Sequence, residues 1–145
     1  MPLKKAAELT IPSSLEHLAD IDRFTEQTFE KLSLPREILD DVAISISEAV
    51  NNAVVHGNKL DRHKKVRIMF FPSARFLRLI VQDEGHGFSL ESVPDPRQKE
   101  NLLKTSGRGL LIIKHLMDRV CFRPRKSGMQ IVMDKFYPKG AYAGR

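Results

Sequence analysis

Three polar side chains recur at four-residue spacing in one helix-like stretch. The segment SEAVNNAVVHGN contains Glu48, Asn52 and His56, and residues four apart lie on the same face of an α-helix. A carboxylate, an amide and an imidazole are groups that a binding or reactive site uses, so the stripe could point at a ligand. Polar residues at helical spacing are also typical of a solvated face. Taken alone, the stripe leaves both interpretations open.

A second stretch, QDEGHGF, places an acid and two glycines directly after a strand-like run. Asp83 follows Gln82, and Gly85 and Gly87 come next. A carboxylate at a strand end can accept hydrogen bonds from an exocyclic amine, and the glycines permit close approach of a ligand to the backbone. Because Asp and Gly are also the commonest turn residues, an ordinary turn remains an alternative.

A third stretch, TSGRGLLIIKHL, brings glycines to the start of a helix-like segment. Gly107 and Gly109 would leave free N–H groups at the positive end of the helix dipole, where an anion can bind. Arg108 adds a fixed positive charge suited to phosphate oxygens. No Lys-Ser/Thr pair follows, so this is not a Walker A loop. No strand directly precedes it, so it is not a Rossmann fingerprint. Glycines that merely bound a helix are the alternative.

The hydrophobic periodicity predicts the elements that must position these stretches. A first strand within KAAELTIP precedes a helix that Ser13 caps, with Glu16 completing a capping box, and that runs to about Leu32. A second helix begins near Pro35 and ends with Gly57 at C′. A third helix is expected at residues 109–118. Two hairpins are expected, one of residues 66–71 and 76–82, the other of residues 120–125 and 129–136.

This order predicts an α+β fold, a two-layer sandwich with helices on one face of a mainly antiparallel mixed sheet. Residues 83–107 contain no convincing long element, and a connection of that length is usually a functional lid. The 145 residues fit one domain, 1–145, with frayed ends at 1–8 and 138–145.

Composition narrows the class of protein. With 41% hydrophobic and 29% charged residues, and no apolar run long enough to span a membrane or serve as a signal peptide, a cytoplasmic globular protein is expected. Cys121 excludes an intrachain disulfide and is expected to be a buried, inert thiol. The net charge of +6 invites a nucleic-acid partner. The basic residues are dispersed, however, so we do not expect nucleic-acid binding to be the main function.

The three stretches in this order resemble the N, G1 and G2 boxes of the GHKL ATPases, the superfamily of gyrase, Hsp90, the histidine kinases and MutL. Within it the chain is most similar to the anti-sigma-factor serine kinases of the RsbW type, over about residues 9–136. The residues that carry the resemblance are Glu48 and Asn52, then Asp83, Gly85 and Gly87, then Gly107, Gly109 and Leu110.

The resemblance implies the Bergerat ATP-binding fold with an ATP lid between the G1 and G2 boxes. It makes Asn52 the Mg²⁺ ligand and Glu48 the general base that takes a proton from the attacking hydroxyl. Asp83 would read adenine. The glycines at 85 and 87 would wrap the nucleotide, those at 107 and 109 would present N–H groups to its phosphates, and Arg108 would reach the γ-phosphate. His56 has no assigned role and is expected to make a structural hydrogen bond.

The same resemblance implies a homodimeric serine kinase and anti-sigma factor that switches partners. It would sequester a sigma factor and phosphorylate a serine of a STAS-type antagonist. Two residues depart from the wider pattern. Met129 stands where many GHKL proteins carry Thr near adenine, and Val55 stands where histidine kinases usually carry Lys. Val55 argues against a histidine kinase. Met129 favours the alternative of a nucleotide-binding interaction module without useful kinase activity.

Overall fold

A single antiparallel sheet organises residues 2–85 and 108–143, the residues that this computed structural model describes. The strands are β1 (Ala7–Pro12), β2 (Lys65–Pro72), β3 (Phe76–Gln82), β4 (Arg119–Arg125) and β5 (Gly128–Phe136). Their order across the sheet is β1-β2-β3-β5-β4, and each of the four pairings is antiparallel. The predicted lid, together with Gly87 and Gly107, lies outside the described residues.

The helices pack on one face of this sheet, as the order of the elements predicted. They are α1 (Leu18–Leu32), α2 (Leu39–Asn52) and α3 (Arg108–Leu116). Ile68 and Phe70 of β2 point toward the helices and are buried in the main core, whereas Met69 belongs to a small cluster on the opposite face. The Phe70 ring meets Phe24 of α1 edge-on, with ring centroids 5.6 Å apart. The predicted α+β two-layer fold is therefore confirmed.

The helix ends differ from the prediction. Ser14, not Ser13, is the N-cap, because a 3-10 turn at Leu15–His17 precedes α1 and the Ser14 hydroxyl accepts a 3.2 Å hydrogen bond from the Glu16 N–H. A second 3-10 turn, Arg36–Ile38, precedes α2. The predicted C′ at Gly57 is wrong, because α2 continues into a π-helical turn at Ala53–Gly57.

Two further expectations change with the fold. Cys121 is exposed and not buried, because β4 is an edge strand whose side chains are largely open to solvent. Ordered structure also reaches into both segments expected to fray. Ala7 pairs with Phe70, and Tyr142 is buried against Tyr137. In the part of the chain that the structure describes, no helix is long and apolar enough to cross a membrane.

Candidate functional site

Asp83 sits just past the end of β3 with its carboxylate fixed by backbone groups. Its side chain is 6% exposed. Oδ1 accepts hydrogen bonds from the N–H of Gly85, at 3.0 Å, and from the N–H of Met129, at 3.1 Å. Burial raises the pKa of the Asp83 carboxyl above its usual range, and the two backbone donors offset part of that effect. The result is an oriented carboxylate at a strand end.

Three glycines pack around Asp83, and each lies so close to its neighbours that there is no room for a side chain. A Cβ at Gly57 would lie 2.5 Å from Asp83 Cγ, and one at Gly85 would lie 2.7 Å from the Gly57 carbonyl carbon. A Cβ at Gly128, which has φ +146°, would lie 2.9 Å from the Asp83 carbonyl carbon. The sequence predicted a site role for Gly85. It assigned Gly57 to a helix end and Gly128 to a hairpin, so it missed their contact with Asp83.

The π-helical turn brings Gly57 to this position. The Asn58 N–H donates to the Ala53 carbonyl, at 2.8 Å, which is the i→i+5 bond that widens the turn. Beyond Asn52 the four-residue stripe is therefore interrupted. Glu48 and Asn52 are half-buried, but His56 is exposed and makes no hydrogen bond to another described residue. The structural hydrogen bond expected of His56 is not found in the described part of the chain.

Asn52, the last residue of α2, has an unsatisfied acceptor. Its Oδ1 is buried and has no hydrogen-bond partner in the described part of the chain. A buried polar atom without a partner is costly, and a ligand that takes up the lone pair would remove this cost. Among the described residues no cluster of three His, Cys, Asp or Glu side chains could hold a metal. A single amide oxygen is nevertheless compatible with Mg²⁺, which takes few protein ligands and completes its octahedron with phosphates and water.

Glu48, one turn before Asn52, meets the first turn of α3. A Cβ at Gly109 would lie 2.8 Å from Glu48 Oε2, so only glycine lets the carboxylate come this close. Leu110 is buried and anchors α3 to the core, while Arg108 is exposed at its start. The first N–H groups of a helix have no intrahelical partner and attract anions. A carboxylate and an anion-binding helix end are thus adjacent.

The end of the α2 segment connects the two clusters along the chain. Glu48 and Gly57 are nine residues apart, with Asn52 between them. Asp83, with the glycines around it, can hydrogen-bond a ring at one end of the candidate site. Glu48, beside the start of α3, can act on an anionic group at the other end. This arrangement suits an elongated ligand with a ring at one end and an anionic group at the other.

A groove gives access to Glu48 from the helical side. It lies between α1 and α2 and encloses about 450 Å³, with Glu48 in its wall. Asp22, Glu26 and Asp40 also line it, and Ile44 at its edge is 46% exposed. A segment of another protein could therefore approach Glu48 without entering through the Asp83 cluster.

Comparison of the sequence with known proteins gives a consistent result. The profile of the histidine kinase-like ATPase domain matches residues 11–135. Curated relatives include the serine-protein kinase RsbW of Staphylococcus aureus, from strains MSSA476 and JH9. Each is 27% identical to the chain over 139 residues, and the alignment covers 91% of this chain and 87% of the relative.

Solved structures share the fold at low sequence identity. The RsbU and RsbW domains of a Mycobacterium tuberculosis protein match 95% of this chain with a TM-score of 0.65 and 15% identity. The histidine kinase domain of a blue-light activated kinase from Erythrobacter litoralis matches 86% with a TM-score of 0.52 and 16% identity. This chain spans 33% of the first solved chain and 61% of the second.

Proposed function

The chain belongs to the family of histidine kinase-like ATPase domains, as its three boxes predicted, and we propose that it is an ATP-dependent protein-serine kinase of the RsbW type. The observation that supports this most is the contact of Glu48 with Gly109. In a fold that binds ATP, it puts a carboxylate beside the helix end that would hold the γ-phosphate. A protein that only bound nucleotide would need no base at this point.

Asp83 is the residue proposed to bind the adenine base. Two backbone N–H groups already bond Oδ1, so Asp83 is oriented before a ligand arrives, and its carboxylate can accept a hydrogen bond from the exocyclic amine of adenine. Gly57 and Gly128 keep the surrounding backbone close. Asn52 would hold Mg²⁺ through Oδ1, the acceptor that lacks a protein partner. When bound, Mg²⁺ neutralises charge on the phosphate oxygens.

Phosphoryl transfer would then use Glu48 as the general base. Glu48 takes the proton from a serine hydroxyl, the hydroxyl oxygen bonds to the γ-phosphorus, and the bond to the β-phosphate oxygen breaks, leaving ADP and phosphoserine. The N–H groups that begin α3, with Arg108 beside them, offset the charge of the transferring group. Three glycines complete the proposed phosphate- and base-binding loops. They are Gly85, which the structure describes, and Gly87 and Gly107, which lie outside the described residues.

The proposed protein partners rest on the analogy with RsbW-type relatives and on the access of another protein to Glu48. By analogy with RsbW-type proteins, the ATP-bound form would sequester a sigma factor in the cytoplasm. It would also phosphorylate a serine on a STAS-type antagonist, which is then released. The groove between α1 and α2 supports a protein substrate, because it leads from solvent to the proposed base. A homodimer is the proposed assembly.

Met129 is the feature that favours the alternative, a nucleotide-binding interaction module without useful kinase activity. It lacks the hydroxyl that many GHKL proteins place near adenine. Its backbone, however, still bonds Asp83 on both sides. The Met129 N–H donates to Oδ1, and its carbonyl accepts from the Asp83 N–H at 3.0 Å. The backbone of Met129 therefore keeps Asp83 oriented, which supports nucleotide binding in either function and leaves the choice between the two functions to Glu48.

The substitution Glu48→Gln separates the two functions. Mg·ATP affinity is measured by calorimetry, and transfer to a purified STAS-domain protein is followed by mass spectrometry. A kinase loses at least about 10²-fold in transfer rate with little change in affinity. Equal transfer by the variant would refute the role of Glu48. If the wild-type protein binds Mg·ATP but modifies no serine, the interaction module is the better description, and if it binds no Mg·ATP the kinase proposal fails.

A further inference from the structure

Asn58, the residue after the π-helical turn, joins two separate backbone segments with its side chain. It is 1% exposed. Its Oδ1 accepts a 2.8 Å hydrogen bond from the Glu84 N–H, and its Nδ2 donates a 3.0 Å hydrogen bond to the Lys65 carbonyl. Because one partner can only donate and the other only accept, the orientation of the amide is determined.

The backbone of Asn58 is fixed equally well. Its N–H donates to the Ala53 carbonyl at 2.8 Å, and its carbonyl accepts from the Asp61 N–H at 3.1 Å. The first of these bonds ties Asn58 to the π-helical turn that continues α2. The side chain therefore projects from the end of the same helix that carries Glu48 and Asn52.

Glu84 makes this bridge relevant to the candidate site, since it directly follows Asp83. On the N-terminal side, the Asp83 N–H is held by β5 through the Met129 carbonyl. On the C-terminal side, the next N–H along the chain is held by Asn58. Glu84 Oε1 also accepts from the Lys65 N–H, which closes a small network between this segment and the start of β2.

We propose that Asn58 is a positioning residue for the nucleotide site, and this inference rests on the proposed function. It fixes the chain after Asp83 relative to α2, and so sets the direction of the Asp83 carboxylate with respect to Asn52 and Glu48. Asn58 does not itself contact the nucleotide. Gly57, its neighbour, packs against the same carboxylate, so a shift of this segment changes both contacts together.

The test compares Asn58→Ala with Asn58→Asp in the full chain. The Ala variant leaves the Glu84 N–H and the Lys65 carbonyl without their partner. The Asp variant keeps an oxygen that accepts from Glu84 but, when ionised, cannot donate to Lys65. Arg62→Ala is the matched control in the same loop, because the exposed Arg62 pairs only with Glu16 at 3.0 Å among the described residues. Each protein is titrated with Mg·ATP by calorimetry and unfolded thermally.

We expect Asn58→Ala to weaken Mg·ATP about tenfold at an unchanged stoichiometry of one, and Arg62→Ala to bind like the wild type. Asn58→Asp should bind more tightly than Asn58→Ala even though it unfolds at an equal or lower temperature. If Asn58 had a purely structural role, both variants would instead bind Mg·ATP with a stoichiometry below one, and their affinity for Mg·ATP would follow their melting temperatures. That result would overturn the inference. An affinity of Asn58→Ala within twofold of the wild type would overturn it too. Failure of the wild type to bind Mg·ATP is a distinct result that removes the proposed function as well.

Discussion

The carboxylate of Asp83 lies directly against the Cα of Gly57. A Cβ at residue 57 would lie 2.5 Å from Asp83 Cγ. The end of the α2 segment and the end of β3 thus fit together only because residue 57 has no side chain. This contact links the helix that carries Glu48 and Asn52 to the carboxylate proposed to read the base, so it sets the dimensions of the site.

Gly57→Ala should therefore weaken Mg·ATP binding at least about tenfold, because the added methyl group displaces the Asp83 carboxylate. Gly57 is not among the glycines with positive φ, so backbone strain does not contribute. Gly140→Ala is the control. Its φ of +89° makes Ala strained, costing about 1 kcal/mol of stability, but nothing lies within 4 Å of the new Cβ. Calorimetric titration of both variants with Mg·ATP tests this prediction. Equal Mg·ATP affinities for Gly57→Ala and Gly140→Ala would contradict it.

Asp83→Asn should abolish measurable Mg·ATP binding and yet stabilise the unliganded protein at pH 7. Burial raises the pKa of Asp83 above its ordinary value of 3.8, so the folded state binds this proton more tightly than the unfolded chain. Above the raised pKa, the ionised carboxylate therefore costs free energy of folding. That cost disappears as the pH falls through the raised pKa toward 3.8.

Thermal unfolding of the wild type and Asp83→Asn between pH 7 and pH 4 measures this effect. The variant should have the higher melting temperature at pH 7, and the difference in melting temperature should narrow on acidification, since Asp83 then becomes protonated in the folded state and its charge no longer has to be buried. A difference in melting temperature that widens toward acidic pH would contradict the prediction. Binding of Mg·ATP by the wild type should weaken over the same range, because a protonated Asp83 accepts hydrogen bonds less well.

Gly109→Ala tests the contact between Glu48 and α3. Its Cβ would lie 2.8 Å from Glu48 Oε2, so the carboxylate must move. The better helix propensity of alanine and the displacement of Glu48 act in opposite directions, so the free energy of unfolding should change by less than about 1 kcal/mol. The rate of phosphoryl transfer in a single turnover should fall about tenfold or more, while Mg·ATP affinity changes less. An unchanged rate would show that the base does not need its position beside Gly109.

The main lines of the fold were predictable because they depend on local patterns. Alternating apolar residues placed the hairpin of β2 and β3, and the glycine after Lys126 and Ser127 placed that of β4 and β5. The helix boundaries were not predictable to the same degree. The turns that begin both N-terminal helices are 3-10, and the spacing of apolar residues does not distinguish a 3-10 turn from the first turn of an α-helix.

The candidate site was predictable where residue type and order identify it. Glu48, Asn52 and Asp83 were predicted from their boxes, and their roles in the site stay predictions. Gly57, Gly128 and Asn58 were missed, because each acts through a contact with a residue more than 20 positions away. The π-helical turn was missed for the same reason, since the contact of Gly57 with Asp83 is tertiary. A glycine at a helix end and another in a hairpin already have sufficient local explanations. Gly87 and Gly107 stay predictions.

Asp134 on the sheet face away from the helices offers a stability prediction independent of the site. It is 3% exposed and accepts from Arg78 Nε at 2.8 Å, and Arg119 lies 3.0 Å from its other oxygen. Asp134→Ala should lower the free energy of unfolding by about 2–3 kcal/mol, less than for a fully buried pair because both guanidinium groups reach solvent. Urea unfolding should show a lower midpoint with an unchanged m-value. Mg·ATP affinity should not change, and a loss of affinity would indicate coupling across the sheet.

Asn52→Ala tests whether the unsatisfied amide oxygen binds the metal. The buried Oδ1 has no hydrogen-bond partner in the described part of the chain, so its removal costs the protein no internal hydrogen bond there. We therefore expect nearly unchanged thermal stability, apart from the helix propensity of Ala, which is favourable. With Mg²⁺ present, ATP affinity should fall about tenfold, whereas with EDTA the variant and the wild type should bind ATP equally. An equal loss of affinity in both conditions would mean that Asn52 contacts the nucleotide directly, and no loss in either would exclude it from the metal site.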